Sequence, residues 1–270
     1  MSINVMKLWD YDKPELSEGR FRSALSTASV DDALILQTQI ARTYGIRRDF
    51  SRAREILAEI EPQIENASLE ARVRYQLELG RTYCSAVHPP GPQTDVAREL
   101  ARSAYMRAFE LAQDGKLDGL AIDALHMMTM VEPSPAEQLE WNRKAIALME
   151  VSSQGDAKNW EASLRNNYGY ALYLLDRYDD ALEEFELALT ARERDGDPGT
   201  IRIAHWMIAW TLRALGRLDE AVEIQLRLEK EWDEAGKPDP YVFEELEHLY
   251  RALSDDEKAE YYAARRKGTS

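Results

Sequence analysis

Four glycines, Gly115, Gly155, Gly196 and Gly236, follow helix-like stretches at intervals of 40, 41 and 40 residues. A period of that length marks stacked supersecondary units, none of which can bury its apolar face alone. Glycine just past a helix end supplies the left-handed conformation that closes the last turn, so each of the four is expected to terminate the second helix of a hairpin. A repeat array also accommodates 270 residues without the size limit of a single globular core.

The clearest unit runs from Leu164 to Arg192. Leu164, Tyr168, Leu172 and Leu175 form one helical stripe; Ala181, Phe185 and Ala188, flanked by Leu182 and Leu189, form the next. The segment Asp176-Arg177-Tyr178-Asp179 breaks them apart. Two helices joined by so tight a turn must pack on each other, and Gly169 facing Ala181 permits a close approach of their axes. Charged residues make up 31% of the chain, and glycine and proline together number 23, which suits helices rather than disorder.

Tyr168-Gly169, Leu172, Ala181, Phe185 and Ala188 resemble the tetratricopeptide consensus of small and large residues, in order and spacing. The wording Asn166-Asn167-Tyr168-Gly169 and the period near 40 are similar to the longer repeats of kinesin light chains. The same template fits Ile208, Ala209, Leu212, Gly216 and Ala221, with Gln225 and Leu228 departing from it, and again Ile40, Ala41, Tyr44, Ala53, Leu57 and Ile60. Gly80, Tyr83, Ala101, Tyr105 and Ala108 match once an insertion is removed, and Leu246, Tyr250 and Ala259 match near the end. Residues 117–151 match least, although Ser134-Pro135-Ala136-Glu137 is a good helix start, and Ser254-Asp255-Asp256-Glu257 repeats its capping logic. The resemblance implies an all-α, right-handed superhelical solenoid of about six hairpins. Residues 1–28 form an N-terminal segment with a capping helix from Pro14, residues 29–267 the solenoid and residues 268–270 a tail.

The resemblance also implies where a ligand sits, because in such proteins the first helix of each hairpin lines the concave face. Carried onto this chain, the groove positions are Asn166, Asn167, Tyr170 and Tyr173 in the fourth hairpin and Trp206, Met207, Trp210 and Arg213 in the fifth. The third hairpin contributes Asp123, Met127 and Met130. Paired asparagines beside rigid aromatics suit an extended peptide; the competing reading packs those aromatics against neighbouring hairpins. Arg42, Arg74 and Arg81 in the first two hairpins are anion-binding candidates, set against a reading in which nearby acids pair with them. The expected activity is that of a protein- or peptide-binding scaffold or adaptor, the alternatives being a sensor that changes conformation on binding a small peptide or metabolite, and an enzyme-accessory protein.

Charge and motifs narrow the classes further. A formal charge of −15 repels nucleic acid and anionic lipid. From Leu218 to Glu260 there are 15 acidic against 5 basic residues, a field that would draw a basic partner. No apolar run spans a bilayer and a single cysteine, Cys84, fits a reducing compartment, so the expected location is the cytoplasm. The pairs Cys84–His88 and Asp123–His126 are the candidates for a nucleophile with its base and for a metal site, and neither brings the further groups such chemistry needs. The expectation is therefore no enzyme, no metal and no cofactor. The insertion His88–Asp95 holds three prolines and reads as an extended bend at the solenoid edge. The strip Val5, Met6, Leu8, Trp9 and Tyr11 must rest on something, either as a cap on the first hairpin or as a contact in a homodimer.

Overall fold

A computed structural model describes residues 3–89 and 93–268. Pro90, Gly91 and Pro92, the middle of the proline-rich insertion, lie outside the described residues. The described elements are helical, and they divide into two compact units, Met1–Trp160 and Glu161–Ser270.

In the first unit a short 3-10 helix, Val5–Leu8, precedes α1 (Pro14–Leu25), and three hairpins follow. They are α2 (Val30–Ile46) with α3 (Phe50–Ile64), α4 (Leu69–Tyr83) with α5 (Asp95–Asp114), and α6 (Asp118–Val131) with α7 (Pro135–Val151); the four-residue α8 (Gly155–Lys158) closes the unit. The second unit repeats the plan with α9 (Glu161–Tyr173) and α10 (Tyr178–Asp195), α11 (Pro198–Ala214) and α12 (Leu218–Glu234), and α13 (Pro240–Ala252) and α14 (Asp256–Gly268). Within each unit a helix touches its hairpin partner and the next hairpin, the arrangement of an all-α solenoid.

Local signals explain most helix starts. Ser29, Asp49, Ser68, Thr94 and Asp197 each accept a hydrogen bond from a backbone N–H of the following helix, and Pro14, Pro135, Pro198 and Pro240 stand at first positions. Ser134 precedes α7 without such a bond. At α14 the cap is Asp255, which accepts from Lys258, while Ser254 takes a positive φ of 61°.

The glycine period corresponds to two different things. Gly196 and Gly236 have φ of 77° and 68° after α10 and α12, as expected. Gly115 is right-handed at φ −82°, and the left-handed residue there is Lys116 at φ 52°. Gly155 ends nothing: α7 stops at Val151, and Gly155 opens α8. An extra turn of helix has therefore been added between the two units where a simple repeat would have none.

Small residues set the hairpin spacing. Ala53, Ala101, Ala181, Ala221 and Ala259 are all buried where the second helix of a hairpin meets the first. Gly169 is the partner of Ala181, and a Cβ there would stand 2.9 Å from the Phe185 ring and 3.2 Å from the Ala181 carbonyl oxygen. Gly80 is tighter still, with the Tyr105 ring 2.5 Å from the place of a Cβ. Tyr105 is fully buried and its hydroxyl donates to the Cys84 carbonyl at 2.6 Å, so the ring has little freedom to give way.

The N-terminal strip packs inside the first unit. Val5 and Trp9 are buried with Phe21 and the apolar face of α2, and the Trp9 indole N–H donates to the Gln39 amide oxygen at 2.9 Å. Met6 and Tyr11 stay exposed.

Candidate functional site

In the first unit the first helices of successive hairpins are joined by charge. Arg42 on α2 stands 3.5 Å from Glu78 on α4; Arg81, one turn further along α4, donates to Glu78 at 2.6 Å and to Asp123 on α6 at 2.5 Å. Glu78 and Asp123 are only 3% and 6% exposed. Burial alone would push the Asp123 carboxyl up, but Arg81 and Arg42 outweigh it and hold it below the usual carboxylate range. His126 lies beside them and stacks obliquely on Trp160 at 5.2 Å; burial holds it below the ordinary histidine value, so the ring is neutral at pH 7.

This cluster forms one end of a cavity of about 190 Å³. Arg42, Glu78, Arg81 and His126 line the polar end, and Ile46, Val87, Met127 and Met130 the apolar one. Asp123 and Met127 were expected on an exposed groove wall; both are buried, Asp123 because it pairs with Arg81 and Met127 because it helps to wall the cavity. Arg74 is held by Glu70 at 2.9 Å on its own helix.

In the second unit the corresponding joints are rings. Tyr173 on α9 stacks on Trp210 of α11 with centroids 3.4 Å apart, and Tyr170 and Trp206 flank Trp210 at 6.1 and 5.9 Å, all within 18° of parallel. Trp206 then reaches α13, where its indole N–H donates to the Tyr241 carbonyl at 3.2 Å. Tyr170 remains 44% exposed at one end of this ladder, and Tyr173, Trp206, Met207 and Trp210 are half-buried. The rings thus pack across neighbouring hairpins and still present a surface. Asn166 and Asn167 are half-buried on α9. Arg213 is engaged: it grips Glu245 on α13 through two contacts, 2.5 and 3.2 Å, with Glu245 itself buried.

Glu245 and Tyr241 were not apparent from the sequence. A charge one repeat away at the matching helix position is the signal that finds Glu245, since Arg213 and Glu245 are 32 residues apart and Arg81 and Asp123 are 42 apart. The acidic stretch from Leu218 is also less free than its charge suggests. Arg265 on α14 holds Glu229 and Asp233, Arg266 holds Glu244 and Glu247, and Arg202 lies 3.4 Å from Glu231.

The reactive-residue candidates are otherwise occupied. Cys84 is buried, which raises its thiol pKa, and its sulfur lies 3.3 Å from the Met130 carbonyl. His88 stacks on Phe50 at 4.0 Å and contacts Ser85 and the Thr82 carbonyl. Among the described residues no group of three or more His, Cys, Asp or Glu is placed to hold a metal ion, and no helix is long and apolar enough to cross a membrane.

Comparison with known proteins agrees with this architecture. Residues 160–230 match the tetratricopeptide repeat family. A Signal Transduction ATPase with Numerous Domains from Pyrococcus horikoshii, which carries a tetratricopeptide repeat sensor, is similar in structure with a TM-score of 0.72 and 12% identity. The likeness covers 94% of this chain but only 38% of that protein. A Rap protein complexed with Competence and Sporulation Factor has a TM-score of 0.59 at 12% identity, covering 98% of this chain and 73% of its own. The apo form of the quorum sensor NprR from B. thuringiensis has a TM-score of 0.55 at 13% identity, with 98% and 84% covered. At such identities the likeness is one of fold. No curated protein matches the chain by sequence.

Proposed function

We propose that this chain, which is built of tetratricopeptide repeats, is a non-catalytic scaffold or adaptor that binds a peptide or protein segment on the aromatic ladder of its second unit. One observation carries the reading: Tyr170, Tyr173, Trp210 and Trp206 are stacked in a row, locked by the Trp206–Tyr241 hydrogen bond, and left partly open to solvent. Rings already fixed in place lose little entropy on binding and offer large contact area, which is why such residues dominate interface energetics. Asn166 and Asn167 on the same helix supply amide groups of the kind that pair with a peptide backbone. The partner engages rings first, and the paired acids of the C-terminal hairpins add only a weak preference for basic residues.

Pull-down from lysate with wild type, Trp210→Ala and the double variant Trp206→Ala with Asn167→Ala tests this. Each variant is expected to lose its partner while keeping its helical circular dichroism. Unchanged recovery of the same partner by both variants rejects the ladder as the binding surface.

A second reading, a sensor of a small ligand, is favoured by the cavity of the first unit, which has a size and a polar end that the ladder lacks. The Rap and NprR structures are named as a peptide-factor complex and a quorum sensor, which is compatible with that role for the fold. A rise in melting temperature on adding a small molecule, without any protein partner, is its signature.

A further inference from the structure

The ladder makes no use of the cavity in the first unit, and the argument for an occupant there stands whether or not the ladder binds a partner. Its polar end contains two arginines in different states. Arg81 is saturated by two carboxylates at 2.6 and 2.5 Å. Arg42 forms no hydrogen bond with a described residue: its contacts are the long 3.5 Å approach to Glu78 and the rings of Trp9 and Tyr11, 5.6 and 5.5 Å from its guanidinium carbon. A guanidinium carries five N–H donors in a planar fork. Here the rings hold it in place, its charge balances the surplus acid of the Arg81 trio, and its donors are unspent beside an open volume.

We propose that this cavity binds a small monocarboxylate with a branched aliphatic body, the carboxylate taken by Arg42 and the body lying on Ile46, Val87, Met127 and Met130. The volume of about 190 Å³ equals roughly six waters at ~30 Å³ each. That admits one leucine-sized side chain with its carboxylate and falls below the ~300–1,000 Å³ of sites for larger ligands. A planar, singly charged carboxylate matches one guanidinium fork. Arg42, Arg81, Glu78 and Asp123 sum to zero charge, so a multiply charged phosphate would lack compensation. Methionine at two of the apolar positions adapts to the exact shape of the chain. The same chemistry has two sources, a free branched-chain acid and the C-terminal residue of a peptide.

Titration calorimetry with the full chain, using 4-methylpentanoate, N-acetyl-leucine and N-acetyl-leucinamide, separates them, with inorganic phosphate as the fourth probe. At least one of the two carboxylates is expected to bind with a Kd on the order of 1 mM or tighter. It should also shift the methyl NMR signals of Met127 and Met130. The amide should bind at least about tenfold more weakly, and Arg42→Met should weaken the carboxylate by a similar factor, the worth of a charge-assisted pair. Binding of N-acetyl-leucine alone identifies a peptide terminus, binding of 4-methylpentanoate alone a free acid, and binding of both a pocket open to either. Met130→Trp, which fills the apolar end and leaves Arg42 in place, should abolish binding and guards against misfolding of the arginine variant. The proposal is overturned if neither carboxylate saturates at about 10 mM, if the amide or phosphate binds as well as the acid, or if Met130→Trp or a folded Arg42→Met binds normally. Trp210→Ala, by contrast, should leave every one of these titrations unchanged.

Discussion

The same joint between successive hairpins is made of ions in the first unit and of rings in the second. Arg42, Glu78, Arg81 and Asp123 tie α2, α4 and α6 together, whereas Tyr173, Trp210, Trp206 and the Tyr241 carbonyl tie α9, α11 and α13, with only Arg213–Glu245 as a charged link. The contrast teaches what each joint is suited to. Buried ions demand nearly complete pairing, since an unpaired charge in low dielectric is very costly, so they build a pocket that accepts one narrow chemistry. Stacked rings tolerate partial exposure and make a permissive surface for segments of varied sequence.

The largest test of that contrast is Arg81→Met, which leaves Glu78 and Asp123 buried without their shared cation. It should destabilise the chain by about 3–5 kcal/mol at pH 7 in thermal or denaturant unfolding. The pH dependence separates the ionic joint from simple loss of packing. In the wild type, Asp123 is held below its unfolded value, so its contribution is full above about pH 4 and is lost as pH falls through the folded pKa. In Arg81→Met burial dominates and raises both carboxyls, so the folded state binds protons first and the deficit should shrink from pH 7 toward pH 5. A deficit that stays constant over that range contradicts the ionic account. Trp210→Ala is the matching change in the second unit, and its stability loss should be independent of pH over the same interval.

Next in size are the close approaches. Gly80→Ala must displace the buried, hydrogen-bonded Tyr105 ring and should cost about 1–3 kcal/mol despite the better helix propensity of alanine. Gly169→Ala meets Phe185 at 2.9 Å rather than 2.5 Å and should cost less than Gly80→Ala in the same assay. An opposite order would mean that the second hairpin has more slack than the fourth.

A gain is expected at Gln225. It is fully buried on α12 and neither its amide oxygen nor its amide nitrogen has a hydrogen-bond partner. Gln225→Leu should stabilise by about 1–2 kcal/mol, read as a raised melting temperature, because the unsatisfied amide is replaced by an apolar group of similar size. The smallest effect is expected at the hairpin turns, where Asp176 has φ of 57° and Gly216, at the same place in the next hairpin, φ of 76°. Asp176→Gly should change stability by under about 1 kcal/mol, relief of left-handed strain being offset by glycine's greater freedom when unfolded.

The hairpins, their turns and their small-residue contacts were legible because they are local: a stripe at helical spacing, a break such as Asp176–Asp179, and an alanine against a glycine lie within one repeat. Gly155 misled for the same reason, since a period in glycines cannot distinguish a helix end from the start of an added turn such as α8. At the site, sequence placed Arg42, Arg81, Asp123 and Trp210 on the right helices but not in the right company. Whether Asp123 faces solvent or Arg81, and whether Trp210 stacks on Tyr173 or stands alone, depends on the register between repeats 32 to 42 residues apart. That register is set by the packing of whole helices, so only the folded stack decides that one unit spends its charges on each other around a cavity while the other lines up its rings.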